Sequence, residues 1–310
     1  MISITIRAMK IFKAIFSLIQ ETITGWSQAN GSLLAAALAY YAIFSLAPLL
    51  VIAVSVGGVV FGPSAVTGLL VEEISHLVSP DVAATIQKAI ENVYLTPSGD
   101  LATIISLVIM LLGASILFFQ LKRAINFLWG VAPQPGKGLI ITLQSHFLSF
   151  LMVFVIGLLV LVAMALTTIL VFFDELIGAF LPELESPLPS GDFGLIFLVF
   201  SLLFAITFKV LPDARIAWKD TLLGAAVTSL LFTIGEILIG FYLGLADLGS
   251  AYGAASSVIL ILIWVYYTMQ IVLIGAKFTQ VYANKYGSKV LPSNRTHLFV
   301  RRRIENHEVE

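Results

Sequence analysis

The chain has 310 residues, of which 59% are hydrophobic and 11% are charged, and its formal net charge is −1. Soluble domains carry charges on about a quarter of their residues, so this composition excludes an ordinary soluble protein and indicates an all-α, polytopic membrane protein. The absence of cysteine from the sequence excludes disulfides, thiolate metal sites and cysteine nucleophiles.

Residues 1–25 predict an amphipathic helix that lies in the membrane interface. Arg7, Lys10 and Lys13 recur every three residues among large apolar side chains, and such a helix places its cations near anionic headgroups. A signal peptide would need an unbroken apolar region of about 7–15 residues. After Lys13 the first stretch free of polar residues covers only residues 14–16, so we reject a signal peptide.

Residues 26–287 form the predicted membrane domain. A helix needs about 20 apolar residues to cross the hydrocarbon core. In the first of six predicted spans, Pro48 removes a backbone hydrogen bond and predicts a kink. The third span is too long for one perpendicular crossing, so it is either strongly tilted or begins as a cytoplasmic helix. The spans are residues 33–61, 101–121, 139–173, 193–211, 221–245 and 254–282.

The segments outside the membrane have patterns of their own. Residues 64–96 contain two short stretches in which apolar residues repeat with a helical period, separated by a helix start signal at residues 79–81. This pattern predicts an extracytoplasmic hairpin of two amphipathic helices. Residues 288–310 are predicted to be a polar cytoplasmic tail. Apart from Lys88, the Lys and Arg residues fall on one side of this topology. Because cytoplasmic loops are enriched in Lys and Arg, both termini are predicted to be cytoplasmic.

The sixth span carries a polar stripe that includes Tyr267, Gln270 and Lys277 when projected at about 100° per residue. Polar side chains at membrane depth are costly, so they usually face other helices or a water-filled cavity. Two interpretations stay open: the stripe ties helices together by hydrogen bonds, or it lines a functional cavity.

Polar groups and hinge residues of several spans form a candidate transport site with this stripe. Cations there could attract an anionic headgroup or solute, or Arg123, Lys209 and Lys277 could reach the interface as topological anchors. The candidate residues are Tyr40, Tyr41, Pro48, Gln120, Arg123, His146, Lys209, Glu236, Tyr267, Gln270 and Lys277.

Glu236 is the only carboxylate well inside a predicted span. It projects onto a stripe of small residues, which lets a neighbouring helix approach closely, so we expect its side chain to point into the bundle. Burial would raise its pKa unless a cation or several donors offset the desolvation. Either a proton carrier or a protonated tie between two helices is consistent with this position.

Four segments, residues 38–50, 121–131, 208–225 and 252–283, resemble the YihY/BrkB family of bacterial inner-membrane proteins. The resemblance covers roughly residues 25–287 and implies a six-helix membrane domain in the inner membrane. Members have been described as ribonuclease BN, as a serum-resistance factor and as candidate lipid transporters. The chain departs from the family at Lys277, where relatives usually carry Glu, so an anionic role there is not carried over.

The residues do not support the ribonuclease name. A metal-dependent nuclease needs clustered His and carboxylate ligands, whereas the four histidines fall in an outer loop, a span and the tail of the predicted topology. The sequence contains no phosphate loop of the Walker type, which excludes ATP-driven transport within this chain. We therefore predict no enzyme activity, metal, cofactor or nucleic-acid partner.

The favoured function is a transporter or flippase for lipids or other anionic amphiphiles, with a polar cavity that faces the cytoplasm. Its partners are then membrane lipids and an anionic lipid or small-molecule substrate. The alternative is a non-transporting factor that supports the cell envelope through its outer helices, and an intramembrane enzyme is least favoured. The substrate, the coupling ion and the oligomeric state do not follow from the sequence.

The topology can be tested with reporter fusions. Fusions after Val131 and at the C-terminus are expected to report the cytoplasm, because both follow segments rich in Lys and Arg. Fusions within residues 80–100 and 180–190 are expected to report the outside. A cytoplasmic signal from the fusion at 180–190 would overturn the six-span topology.

Overall fold

The computed structural model describes residues 2–45, 100–133, 189–245, 256–293 and 296–298, with a few helical residues between 147 and 162. These parts of the chain are mostly helical, as the composition predicts. The predicted outer hairpin, the kink at Pro48, His146 and the end of the tail lie outside the described residues.

The helices of the described ranges extend the predicted spans at several ends. Helix α3 is the clearest case, because it continues eight residues past the predicted end at 121 and carries Lys122 and Asn126 on its last turns. These two residues therefore lie on a helix and not in an exit loop. The helices are α1 Ile2–Gln28, α2 Gly31–Ser45, α3 Asp100–Trp129, α4 Pro189–Val210, α5 Trp218–Leu245 and α6 Ser256–Tyr286.

Two helices of the described part of the chain are long and apolar enough to cross a membrane, judged by length and composition. They are Trp218–Ile239 within α5 and Val258–Tyr286 within α6, which agree with the fifth and sixth predicted spans. Shorter apolar helices cover Gly31–Ser45 and Phe197–Val210. The count of six spans stays a prediction.

Helices α5 and α6 interlock through two glycine–threonine contacts. A methyl group on Gly224 of α5 would overlap Thr279 of α6, and a methyl group on Gly275 of α6 would overlap Thr228 of α5. Each threonine donates its hydroxyl hydrogen bond within its own helix, Thr228 to the carbonyl of Gly224 at 2.7 Å and Thr279 to that of Gly275 at 2.8 Å. Small residues at this spacing let two backbones approach closely without leaving a polar group unsatisfied.

Helix α4 packs on the adjacent face of α5 through aromatic rings. The ring centroids of Phe200 and Phe232 are 4.5 Å apart, and those of Phe204 and Phe232 are 5.8 Å apart. Ser229 of α5 donates a hydrogen bond to the carbonyl of Phe197 at 3.1 Å. The three helices α4, α5 and α6 therefore form one packed layer, with α5 in the middle.

Two short antiparallel ladders join the loops at one end of this layer. Strand β1, Val131–Pro133, pairs with β4, Thr296–Leu298, and strand β2, Ala214–Arg215, pairs with β3, Leu291–Pro292. The first residues of the predicted tail are thus paired with the loops that follow α3 and α4. Sequence analysis does not predict these strands, because two or three residues are too few for an alternating pattern.

The interlock of α5 and α6 predicts the effect of a single methyl group. Gly224→Ala is expected to lower stability by about 1–3 kcal/mol, the usual cost of overpacking. The matched control is Gly194→Ala in α4, where nothing lies within 4 Å of the added carbon and the lost backbone flexibility should stabilise by about 0.5–1 kcal/mol. Apparent melting temperatures of the purified variants provide the measurement, and equal shifts would contradict the interlock.

Candidate functional site

Lys277 lies where α1, α3 and α6 meet. Its ammonium donates hydrogen bonds to the carbonyl of Leu128 at 3.2 Å and to Oε1 of Gln280 at 2.7 Å. Gly25 of α1 packs so closely on its stem that a methyl group there would overlap the Cε atom of Lys277. The side chain therefore lies within a helix junction, which fits the polar stripe predicted for the sixth span.

The end of α3 is clamped onto α6 beside Lys277. The indole N–H of Trp129 donates to the carbonyl of Ala276 at 2.9 Å, and Nε2 of Gln280 donates to the carbonyl of Trp129 at 2.8 Å. All three residues are buried. One hydrogen bond uses the carbonyl of Trp129 at the end of α3, and the other uses the carbonyl of Ala276 inside α6. Together they fix the position of α3 along the axis of α6.

An ion pair between the buried Lys122 and the half-buried Asp213, the Asp213 clasp, joins α3 to the loop after α4. Nζ of Lys122 lies 2.7 Å from Oδ1 of Asp213, and the lysine is only 2% exposed. Nδ2 of Asn126 donates to Oδ2 of Asp213 at 2.8 Å, and the Asp213 N–H donates back to Oδ1 of Asn126 at 2.9 Å. In the predicted topology Lys122 is only one of the cations that orient the chain. The spacing of Lys122 and Asn126 by four residues on one helix face was the available signal.

The other predicted cations have different surroundings. Lys209 donates a hydrogen bond to the carbonyl of Ile216, and its ammonium lies 5.4 Å from the ring centroid of Trp218. Arg123 is exposed, with its guanidinium 5.9 Å from the ring centroid of Phe119. Lys209, Arg123 and Lys277 are therefore held by three separate sets of groups. Whether any of them contacts a substrate stays a prediction.

The candidate residues on α2 and α3, Tyr40, Tyr41 and Gln120, are less buried than Lys122 of the clasp. Tyr40 is exposed and Tyr41 is half-buried, and their rings meet edge to face with centroids 5.6 Å apart. Gln120 is half-buried on α3. Among the described residues, no group of three or more His, Asp or Glu side chains could hold a metal ion.

Glu236 differs from its expected position. Its side chain is exposed and borders a shallow cleft between α5 and α6, which is also lined by Trp264, Tyr267 and Thr268. Gly235 beside it leaves room for the Tyr267 hydroxyl, which a methyl group would displace. Because Glu236 is exposed, its expected burial between helices is wrong.

Gln270 has the most unusual polar environment of the predicted stripe. The side chain is half-buried, and its Oε1 atom is buried without a hydrogen-bond partner in the described part of the chain. It precedes Lys277 by seven residues, which places the two side chains on one face of α6, about 10 Å apart along the axis. A buried carbonyl oxygen without a donor costs about 1–3 kcal/mol, so this atom is suited to accept a hydrogen bond from a ligand.

The Asp213 clasp predicts that removing the charge of Asp213 lowers the stability of the protein strongly. Asp213→Asn keeps the shape of the side chain but leaves the buried Lys122 ammonium without its carboxylate, which should cost about 3 kcal/mol. Glu21→Gln, in the exposed pair of Glu21 with Lys285, is the matched control and should cost less than about 1 kcal/mol. Melting temperatures compare the two, and similar losses would contradict the clasp as a buried pair.

Comparisons with known proteins bear on the whole chain. A family model described as Virulence factor BrkB matches residues 22–297. A UPF0761 membrane protein of Chromobacterium violaceum is 32% identical over 174 residues, which make up 55% of this chain and 40% of that protein. A UPF0761 membrane protein of Pseudomonas aeruginosa strain LESB58 is 29% identical over 250 residues, or 78% of this chain and 57% of that protein. No solved structure matches.

The family match extends over most of the chain and confirms the resemblance that the four sequence segments carry. The chain spans about half the length of these two curated relatives. The names of the family and of the relatives refer to a virulence factor and to membrane proteins, and neither names an enzyme. The chain therefore belongs to the BrkB family and is an integral membrane protein.

Proposed function

We propose that this protein moves anionic amphiphiles, and phospholipids in particular, across the bacterial inner membrane along the polar face of α6. In this proposal both termini are cytoplasmic, which puts the interlocked ends of α5 and α6 on the cytoplasmic side and the cleft beside Glu236 and Tyr267 further towards the outside. The observation that carries the proposal is the buried Oε1 atom of Gln270, which has no donor among the described residues. A helix tie would provide that donor, whereas a substrate site leaves it open until a ligand arrives.

A phospholipid headgroup has the chemistry that this face requires. Its hydroxyl or ammonium group can donate a hydrogen bond to Gln270, and its phosphate can approach the ammonium of Lys277. The carbonyl of Leu128 and the amide of Gln280 hold the ammonium of Lys277 on this face of α6. The hydrogen-bond acceptor Gln270 and the cation Lys277 therefore follow one another along one face of α6.

The packing of α5 on α6 supports a path that is closed at one end and open at the other. The glycine–threonine interlock holds the two helices together at Gly224 and Gly275, while a cleft separates them beside Glu236 and Tyr267. The alternative of a non-transporting envelope factor depends on residues 64–95, which lie outside the described ranges.

Transport by the full chain in liposomes tests this function. Liposomes contain phosphatidylglycerol labelled on an acyl chain with a fluorophore that a membrane-impermeant reductant bleaches, so bleaching of the inner leaflet reports lipid movement. The wild type is expected to accelerate bleaching over protein-free liposomes. Gln270→Leu removes a hydrogen bond worth about 1 kcal/mol, which corresponds to a rate about fivefold lower.

The matched control is Gln280→Leu on the same helix. Gln280 donates to the carbonyl of Trp129, so its loss is expected to lower the melting temperature, whereas Gln270→Leu should leave it unchanged or higher. A wild-type rate equal to that of protein-free liposomes would refute transport of this lipid. A loss of stability in Gln270→Leu as large as in Gln280→Leu would show that Gln270 is a helix tie.

A further inference from the structure

Helix α1 has an apolar face that the described protein does not cover. The six large apolar side chains on this face are each 45–70% exposed. At about 100° per residue they fall within a sector of about 120°, which is the width of a complete apolar face. They are Met9, Phe12, Ile15, Phe16, Ile19 and Ile23.

A second face of α1 is fixed to α6. Leu18 and Thr22 are buried on this side, and Glu21 forms an ion pair with Lys285 near the end of α6. Ser17 joins the pair, because it donates to Glu21 at 2.9 Å and accepts from Lys285 at 2.6 Å. The hydrogen bond from Lys285, followed by that from Ser17, lowers the pKa of the Glu21 carboxyl. The pair is therefore complete at neutral pH and is lost only as the pH falls through that lowered pKa.

The third face of α1 is polar. Lys10, Lys13 and Gln20 are exposed there. In helical projection Lys13 and Gln20 lie beside the apolar face, whereas Lys10 lies beside Glu21. Because α6 fixes the rotation of α1 through Glu21, the apolar face and the flanking Lys13 have a set direction. This division into an apolar, a polar and a protein-bound sector is typical of a helix that lies in a membrane interface.

The corner between α1 and α2 holds α1 as a separate arm. Asn30 adopts a left-handed backbone conformation with φ of 52°. Gly31 packs against the indole ring of Trp26, where a methyl group would overlap the ring. Beyond the corner, Leu33, Tyr40 and Phe44 of α2 are also exposed apolar side chains, so the exposed apolar surface continues from the arm into the apolar helix α2.

We propose that α1 is a membrane-surface arm whose apolar face enters a bilayer with anionic headgroups, with Lys13 against the lipid phosphates. The charge of Lys13 is complementary to anionic lipid, and the apolar sector is too wide for a surface that faces water. The arm holds the end of α6 at the interface through the pair of Glu21 and Lys285. This inference is independent of transport by the polar face of α6.

Spin labels on the full chain test the position of the arm. The sequence has no cysteine, so single cysteines can be placed at Phe12, Phe16 and Ile19 on the apolar face and at Lys13 and Gln20 on the polar face. In vesicles of phosphatidylcholine and phosphatidylglycerol, oxygen collides with labels in lipid and a nickel chelate collides with labels in water. Labels on the apolar face are expected to favour oxygen, and labels on the polar face to favour nickel.

Two other patterns would overturn the proposal. Labels on the apolar face that are as accessible to nickel as those on the polar face would place the arm in water. Apolar-face labels that neither reagent reaches would show that a second copy or another protein covers the face. Several positions are labelled on each face, so one poorly folded variant does not decide the result.

The lipid charge is tested separately. With the label at Phe16, addition of phosphatidylglycerol to phosphatidylcholine vesicles is expected to raise the ratio of oxygen to nickel collisions, because the cations draw the arm towards the phosphates. The variant Lys13→Gln should lose most of this increase, whereas Lys10→Gln, on the side away from the apolar face, is the matched control and should keep it. An unmodified chain that shows no dependence on phosphatidylglycerol would refute the role of the anionic headgroup.

Discussion

The ion pair of Lys122 and Asp213 is the interaction that joins the separate parts of this end of the molecule. Taking a lysine out of water costs several kcal/mol unless a counter-charge and further hydrogen bonds replace the lost hydration. Asp213 provides the charge, and Asn126 satisfies its second oxygen and its N–H. The carbonyl of Asp213 also accepts from the N–H of Ser293 at 3.1 Å. One loop residue thus connects α3, the turn after α4 and the chain after α6.

A polar group in apolar surroundings needs a partner within the protein, and the contacts near the clasp follow this rule as well. Asp220, at the start of α5, is buried and accepts from the N–H and the hydroxyl of Ser288 at 2.8 and 2.7 Å. The threonines of the α5–α6 interlock satisfy their hydroxyls within their own helices. Among the described residues, Oε1 of Gln270 is one of four buried side-chain polar atoms without a partner, together with atoms of Trp26, Ser149 and Ser201. Each such atom requires an explanation, and Gln270 is the one that shares a helix face with Lys277.

The sequence predicts what depends on local pattern. Runs of apolar residues locate α5 and α6 to within a few residues, and the projection of Gln270 and Lys277 onto one face of α6 needs only the helical period. It does not predict the Asp213 clasp, because Asn126 and Asp213 are 87 residues apart and no local pattern records their pairing. The exposure of Glu236 is missed for a related reason: helical projection identifies its neighbours on α5 but not which parts of α5 other helices cover.

Helix α6 is in contact with most of the described structure, and its faces have different roles. Gly275 and Thr279 pack on α5, Ala276 and Gln280 hold the end of α3, and Lys285 holds α1. A shift of α6 along its axis would therefore break contacts with three helices at once, which makes this end of α6 a fixed point. Towards its other end, beyond Gln270, the cleft beside Tyr267 and Glu236 leaves α6 less enclosed. If a lipid headgroup reaches Gln270 as we propose, the movement that admits it is expected to begin at this end, where the described residues make fewer polar contacts with α6.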